Sequence, residues 1–293
     1  MLIGNNPLNE KPEWFKKNIE ISPQTKHVEV ENKKIKYFIW GDESLPKLIF
    51  LHGFNAHSYW WSHIAPFFNA KYCVVALDFS GMGESEHREE YSQAMYSKEI
   101  KAVVDEMKCT KPICLAHSMG GAIAMFSTSM FPDLFSKIIL LDSVVVLPPE
   151  KAEMMKSRRP KSRMEIASDS IDNAISRFRL MPPQPCAQEY VLEYIAKTSY
   201  RETEQGWILK SDPKISSTYK YNDLHEMMMN PKTDLEIIYG QLSQVFTPDV
   251  LDYMKYAGQL DETKIHRLEG AMHHLFLDRP LEFKDLVLKI LEN

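Results

Sequence analysis

The chain has 293 residues, 44% of them hydrophobic and 26% charged, with a net charge of -5 and a mean hydropathy of -0.33. That is chain enough for a large core, as one domain with an insertion or as two domains, and the composition excludes a disordered or fibrous protein. The acidic balance gives no electrostatic basis for nucleic-acid binding, and no stretch approaches the ~18 apolar residues of a membrane span.

The opening MLIGNNPLNEKPEWFKKN lacks the basic-then-apolar pattern of a secretion signal, so a cytoplasmic protein is expected. Two β-rich runs follow, HVEVE (27–31) and KIKYFIW (34–40). Joined by Asn32 and Lys33, they read as an antiparallel hairpin at a sheet edge. Then come KLIFL (47–51), YCVVAL (72–77), PICLA (112–116), KIILLD (137–142), DLEIIY (234–239) and TKIHRL (263–268). These six are mostly continuous apolar runs, the pattern of strands covered on both faces of a parallel sheet. Helical patterns lie between or after them, in SYWWSHIAPFF (58–68), SQAMYSKEIKAVVDEM (92–107), GGAIAMFSTSMF (120–131), TPDVLDYMKYA (247–257) and PLEFKDLVLKILEN (280–293). The alternation predicts a mostly parallel, eight-stranded α/β sheet flanked by helices, with right-handed crossovers.

The alternation breaks once, between Val144 and about Pro231, where prolines 148, 149, 160, 182, 183 and 185 fall among apparent helices such as SIDNAISRF and AQEYVLEYIAKTS. A structureless connection of that length is implausible, so a helical cap is expected after the sixth strand. The predicted division is a core of residues 1–143 and 232–293 and a cap of 144–231. Cys73, Cys109, Cys114 and Cys186 have no C-x-x-C spacing and two lie in apolar runs, so free thiols are expected, with no metal site.

The sharpest chemical signal is PICLAHSMGG (112–121). A strand ends at Ala116, Ser118 follows, and Gly120 and Gly121 open a helix. Small residues on both sides let strand and helix approach closely, so the serine hydroxyl projects from a strained turn, as in a nucleophile elbow. The plainer alternative is a serine capping an ordinary helix.

On these residues the chain resembles the α/β-hydrolase superfamily, from about residue 28 to 290, with Ala116 where the elbow usually has glycine. LHGFNAHSYWW (51–61) is similar to the His-Gly loop after the third strand, and DFSGMGES (78–85) to the Asp-x-x-Gly-x-Gly-x-Ser turn after the fourth. The resemblance implies that the backbone N–H groups of Phe54 and Met119 form an oxyanion hole. His52 matches a loop-holding histidine. GAMHHLFLDRP (270–280) matches the pattern Gly-x-x-His followed seven residues later by Pro. That count selects His273 as the general base over His274, which would pack nearby. His57, His63, His117, His225 and His266 read as surface or satisfied core residues.

Most relatives carry the triad acid just past the glycine that ends the seventh strand, and in IIYGQLSQVF (237–246) that place falls on Ser243. Pancreatic-type lipases and several haloalkane dehalogenases place it after the sixth strand instead, which selects Asp142. Asp249, or a site with no acid, is the alternative. Within the insertion, Met154, Met155, Met164, Met181 and Met227 to Met229 could line a pocket or simply pack cap helices. KSRRPKSR (156–163) reads as a solvated face or a dock for an anion, and Arg177 and Arg179 could orient a carboxylate.

The resemblance therefore implies a serine hydrolase of carboxylic esters, with lactones and thioesters in range, acting on a small-molecule acyl substrate without a cofactor. The catalytic set would be Ser118, Asp142 and His273. Carbon–carbon bond hydrolysis, perhydrolysis, or a catalytically weak binding or signalling protein that kept the pocket are the alternatives.

Overall fold

The computed structural model of the protein describes residues 11–157 and 164–292. Its strands are β1 (Gln24–Val30), β2 (Lys33–Trp40), β3 (Lys47–Leu51), β4 (Cys73–Leu77), β5 (Ile113–His117), β6 (Lys137–Leu141), β7 (Tyr200–Thr203), β8 (Gly206–Leu209), β9 (Asp234–Gly240) and β10 (Ile265–Leu268). All but β7 and β8 form one eight-stranded sheet, in the order β1-β2-β4-β3-β5-β6-β9-β10. The β1–β2 and β2–β4 pairs are antiparallel, and every pair from β4 to β10 is parallel.

Successive side chains of a strand point to opposite faces, and here both faces are filled. Ile49, Leu51, Ile138, Leu140 and Ile237 enter one core. Leu48, Phe50, Ile139, Leu141 and Ile238 enter the other.

The helices are α1 (Glu13–Glu20), α2 (Gln93–Glu106), α3 (Met119–Met130), α4 (Pro149–Ser157), α5 (Ile171–Arg177), α6 (Glu189–Thr198), α7 (Ile215–Thr218), α8 (His225–Met229), α9 (Pro248–Gly258), α10 (Leu275–Asp278) and α11 (Pro280–Leu291). Residues of α2, α3, α8 and α9 cover the first core. Those of α1, α5, α6 and α11 cover the second. Among the described residues, no helix is long and apolar enough to cross a membrane. All four cysteines are free, two buried and two half-buried.

Three local expectations change, and a fourth is untested. The edge hairpin turns at Glu31 and Asn32, with φ of 47° and 60°, one residue earlier than Asn32-Lys33; positive φ at both positions matches the twist of the strands. SYWWSHIAPFF forms two 3₁₀ turns, Ser58–Trp61 and Ala65–Phe68, because Pro66 has no N–H to continue an α-helical ladder. The segment between β6 and β9 is not purely helical, since β7 and β8 pair in an antiparallel hairpin beside α4 to α8. Most of KSRRPKSR lies outside the described residues.

The DFSGMGES turn is tied down by a buried ion pair. Lys36 Nζ stands 3.2 Å from Asp78 Oδ2, both side chains almost wholly buried, and the ammonium also donates to Ser58 Oγ at 2.8 Å. Asp78 accepts the N–H groups of Ser58 and Glu84 at 2.6 and 2.9 Å. Burial, the largest single effect, pushes its carboxyl up, but Lys36, His57, His52 and the Glu84 N–H together outweigh it and the net shift is downward. Removing one member of such a pair strands the other charge in the core. Lys36→Met is therefore expected to cost about 3–5 kcal/mol in urea unfolding, well beyond an ordinary surface substitution.

Candidate active site

The elbow forms where β5 meets α3. Ser118 has φ 52° and ψ -120°, a conformation that L-residues rarely adopt, and holding it costs on the order of 1–3 kcal/mol. Contacts on both sides enforce it. A Cβ on Gly120 would lie 2.7 Å from the His52 carbonyl oxygen, and one on Gly121 would lie 2.3 Å from Ser143 Oγ. The Ser118 N–H donates to the Leu141 carbonyl at 3.1 Å, pinning the turn to the end of β6. The result is a half-buried serine at the carboxyl edge of the sheet, where open α/β sheets keep their sites.

His273, in the loop between β10 and α10, bridges two of the expected residues. Its Nε2 is 3.0 Å from Ser118 Oγ, and its Nδ1 is 3.0 Å from Asp142 Oδ1. Asp142 directly follows β6, is fully buried, and has φ 47°. Its N–H donates to the Ile238 carbonyl at 2.8 Å, its Oδ2 accepts the Gly240 N–H at 2.9 Å and its Oδ1 accepts the Ser243 hydroxyl at 2.7 Å. Asp249 is elsewhere, exposed and bound to Lys151 and Thr247. The ring of His274 packs 5.4 Å from Trp60 and 5.2 Å from His117, centre to centre.

The loop after β3 closes the other side. His52 donates from Nδ1 to the Gly53 carbonyl at 2.8 Å, while its Nε2 accepts the Phe79 N–H at 3.1 Å. A planar trans peptide points its C=O and N–H in opposite directions, so holding the Gly53 carbonyl also fixes where the Phe54 N–H points. A Cβ on Gly53 would sit 3.1 Å from Ser118 Cβ, so the loop lies directly against the serine. Met119 is the first residue of α3.

Three supporting residues escaped the sequence reading. His117 Nε2 donates to the His273 carbonyl at 3.0 Å. Asp278 accepts the Met272 N–H at 2.8 Å. Gln184 donates to both oxygens of Asp278 at 3.0 Å and accepts the His274 N–H at 3.1 Å, so the insertion grips the loop that carries His273. Burial pushes the Asp278 carboxyl up, and the charge of Asp142 adds to this. The legible clue was an acidic residue in the otherwise apolar turn LFLD.

Beside the site lies an open cavity of about 260 Å³, with Phe54, Trp60, Phe178, Met181, Tyr200 and Leu209 in its wall. Arg177, Arg179 and Met164 also face it, whereas Met228 belongs to the core. Arg179 donates to the carbonyls of Ser176 and Phe178. Among the described residues, the one histidine group close enough to consider for a metal is His117, His273 and His274, with one nitrogen each within 4.8 Å. Tetrahedral zinc holds its nitrogens roughly 3.4 Å apart. Both His273 nitrogens already have partners, so ligation there would break the link to Ser118 or to Asp142.

Burial pushes His52, His57, His63, His117 and His274 below the ordinary histidine range. For His63 the value falls from 6.5 to about 4. A histidine kept neutral in the fold takes up its proton more readily when unfolded, so the stability it contributes is complete above pH 6.5 and is lost as pH falls toward 4. Urea unfolding is expected to show stability declining across that window, with His63 alone contributing on the order of 3 kcal/mol, and His63→Gln making the decline shallower.

A family model described as alpha/beta hydrolase fold matches residues 46–280. The chain is 24% identical over 190 residues to a serine hydrolase-like protein of Danio rerio, an alignment covering 61% of this chain and 58% of that relative. It is 32% identical over 112 residues to epoxide hydrolase 4 of Mus musculus, covering 37% and 31%. The chain thus spans only part of the length of the curated relatives it matches. Among solved structures, the thioesterase domain from the curacin biosynthetic pathway superposes with a TM-score of 0.75 at 21% identity, covering 91% of this chain and 99% of that one, a likeness of fold.

Proposed function

Because the chain belongs to the α/β-hydrolase family, we propose that it is a serine hydrolase of carboxylic esters, with lactones and thioesters in range, working through an acyl-enzyme on Ser118. The observation that carries this reading is the pair of 3.0 Å contacts made by His273. With Nδ1–H donated to Asp142, Nε2 keeps its lone pair for the Ser118 hydroxyl, the tautomer a general base needs. Hydrolysis of epoxides or haloalkanes on this fold needs a carboxylate nucleophile that forms an alkyl ester, and the elbow here holds a serine.

In the first step Ser118 Oγ attacks the acyl carbon while its proton passes to His273 Nε2. Charge develops on the carbonyl oxygen, facing the backbone N–H groups of Phe54 and Met119. Collapse breaks the bond to the leaving alcohol, which takes the proton from His273. A water molecule then gives its proton to the same Nε2 as its oxygen attacks the acyl carbon; the bond to Ser118 Oγ breaks, His273 returns the proton to that oxygen, and the acid is released. Asp142 holds the imidazole in orientation and stabilises the imidazolium. Residues 144–231 act as a cap over the core of 1–143 and 232–293, and the mostly apolar cavity receives the small-molecule acyl substrate. The chemistry calls for neither cofactor nor metal.

With p-nitrophenyl butyrate and a fluorophosphonate probe, wild-type protein should turn over and be labelled, and Ser118→Ala should lose both. Asp142→Asn should lower kcat by about 10⁴-fold, while Asp249→Asn should stay within about twofold of wild type, as expected for an exposed residue away from the site. Near-normal turnover in Asp142→Asn rejects the assignment of the acid. A folded wild-type protein with neither turnover nor labelling rejects the reading.

A further inference from the structure

Ser243 occupies the turn after β9 at the place where the resemblance leads one to look for a carboxylate, and its hydroxyl is not idle. The Oγ accepts the N–H groups of Val245 and Phe246 at 3.2 and 3.1 Å. Both acceptor positions of the hydroxyl are thereby filled, so its hydrogen is left one direction, toward Asp142 Oδ1 at 2.7 Å. That oxygen also faces His273 Nδ1. The other carboxylate oxygen takes the Gly240 N–H, from the same turn.

The turn also touches the loop that carries the base. The Leu242 N–H donates to the Ala271 carbonyl at 2.8 Å, and a Cβ on Gly240 would lie only 2.3 Å from the Met272 carbonyl oxygen. The turn closes on itself through the Ser243 N–H and the Gly240 carbonyl, 3.0 Å apart. A single rigid segment therefore registers acid and base against each other.

Building on the triad reading, we infer that Ser243 is a positioning residue: its hydroxyl, locked by two backbone donors, fixes the plane of the Asp142 carboxylate so that Oδ1 faces the His273 ring. The carboxylate is fully buried, and among the described residues its hydrogen-bond donors are the His273 ring, the Gly240 backbone N–H and the Ser243 hydroxyl. Removing the Ser243 donor leaves Oδ1 to the His273 ring alone and Oδ2 to the Gly240 N–H, so the carboxylate is held less tightly against rotation about its Cβ–Cγ bond. The imidazole then loses its fixed orientation while the nucleophile, the oxyanion donors and the cavity stay in place. The effect should fall on kcat and leave KM largely alone, because substrate binding does not involve Ser243.

The test compares wild type, Ser243→Ala and Ser243→Thr in two independent readouts. One is kcat, KM and the pH–rate profile for p-nitrophenyl butyrate. The other is the NMR resonance of the His273 Nδ1 proton, which reports the hydrogen bond to Asp142 whether or not the protein turns over substrate. Ser243→Ala is expected to lower kcat by about 10- to 100-fold with KM within about twofold, to move the limb of the pH–kcat profile set by the base, and to shift or broaden the resonance. Ser243→Thr, which keeps a hydroxyl, should restore most of both. A folded Ser243→Ala with unchanged kcat, pH profile and resonance overturns the inference and leaves the triad reading standing. So does equal loss in both variants accompanied by a collapsed unfolding midpoint, the mark of a purely structural role. A resonance that responds to Ser243→Ala, where the wild-type protein shows neither turnover nor labelling, supports the positioning role and rejects the hydrolase reading instead.

Discussion

Everything at the site depends on keeping one charged carboxylate in a dry place. Asp142 has no exposure to solvent, and a buried charge is tolerated only where donors replace the water it has lost. Three donors do so: the His273 ring from the loop after β10, and the Gly240 amide and Ser243 hydroxyl from the turn after β9. The requirement to satisfy this group thus joins β6, the turn after β9 and the loop after β10 into one unit. The backbone at Asp142, in the left-handed region, is part of the same constraint, since it turns the carboxylate off the strand axis toward His273.

The sheet makes that junction possible. Strands β3, β5, β6, β9 and β10 are adjacent and parallel, so the segments leaving their carboxyl ends crowd together at one edge. Filled cores on both faces hold the strands in register, and the absence of side chains at Gly120 and Gly121 lets α3 close to contact distance of β3 and β6. Strain at Ser118 is the local cost of pointing a hydroxyl out of so tight a turn. The ion pair of Lys36 and Asp78 braces the neighbouring loop, and His52 links that loop to the one carrying Phe54.

What the sequence made legible follows physical range. The elbow and the strand runs are read from neighbours within a few residues, where spacing maps directly onto geometry, whereas His273 and Asp142 are picked out by the resemblance; the structure brings Ser118, His273 and Asp142 together in hydrogen-bond contact. The hairpin of β7 and β8 stayed hidden because four-residue strands carry too short an alternation to register. His117, Asp278 and Gln184 act through contacts across 156, 6 and 94 residues of chain, and two of those three separations leave no local trace. Ser243 was readable only as a missing charge. Its partner lies 101 residues away, so nothing in IIYGQLSQVF reveals that the hydroxyl supports an acid placed elsewhere.

The most direct measurement is the chemical identity of the intermediate. Rapid quenching during turnover of p-nitrophenyl butyrate, followed by proteolysis and mass spectrometry, should place a butyryl group on the peptide containing Ser118, with an initial burst of nitrophenolate of about one equivalent per chain. Turnover without that adduct, or an adduct on a different residue, contradicts the account.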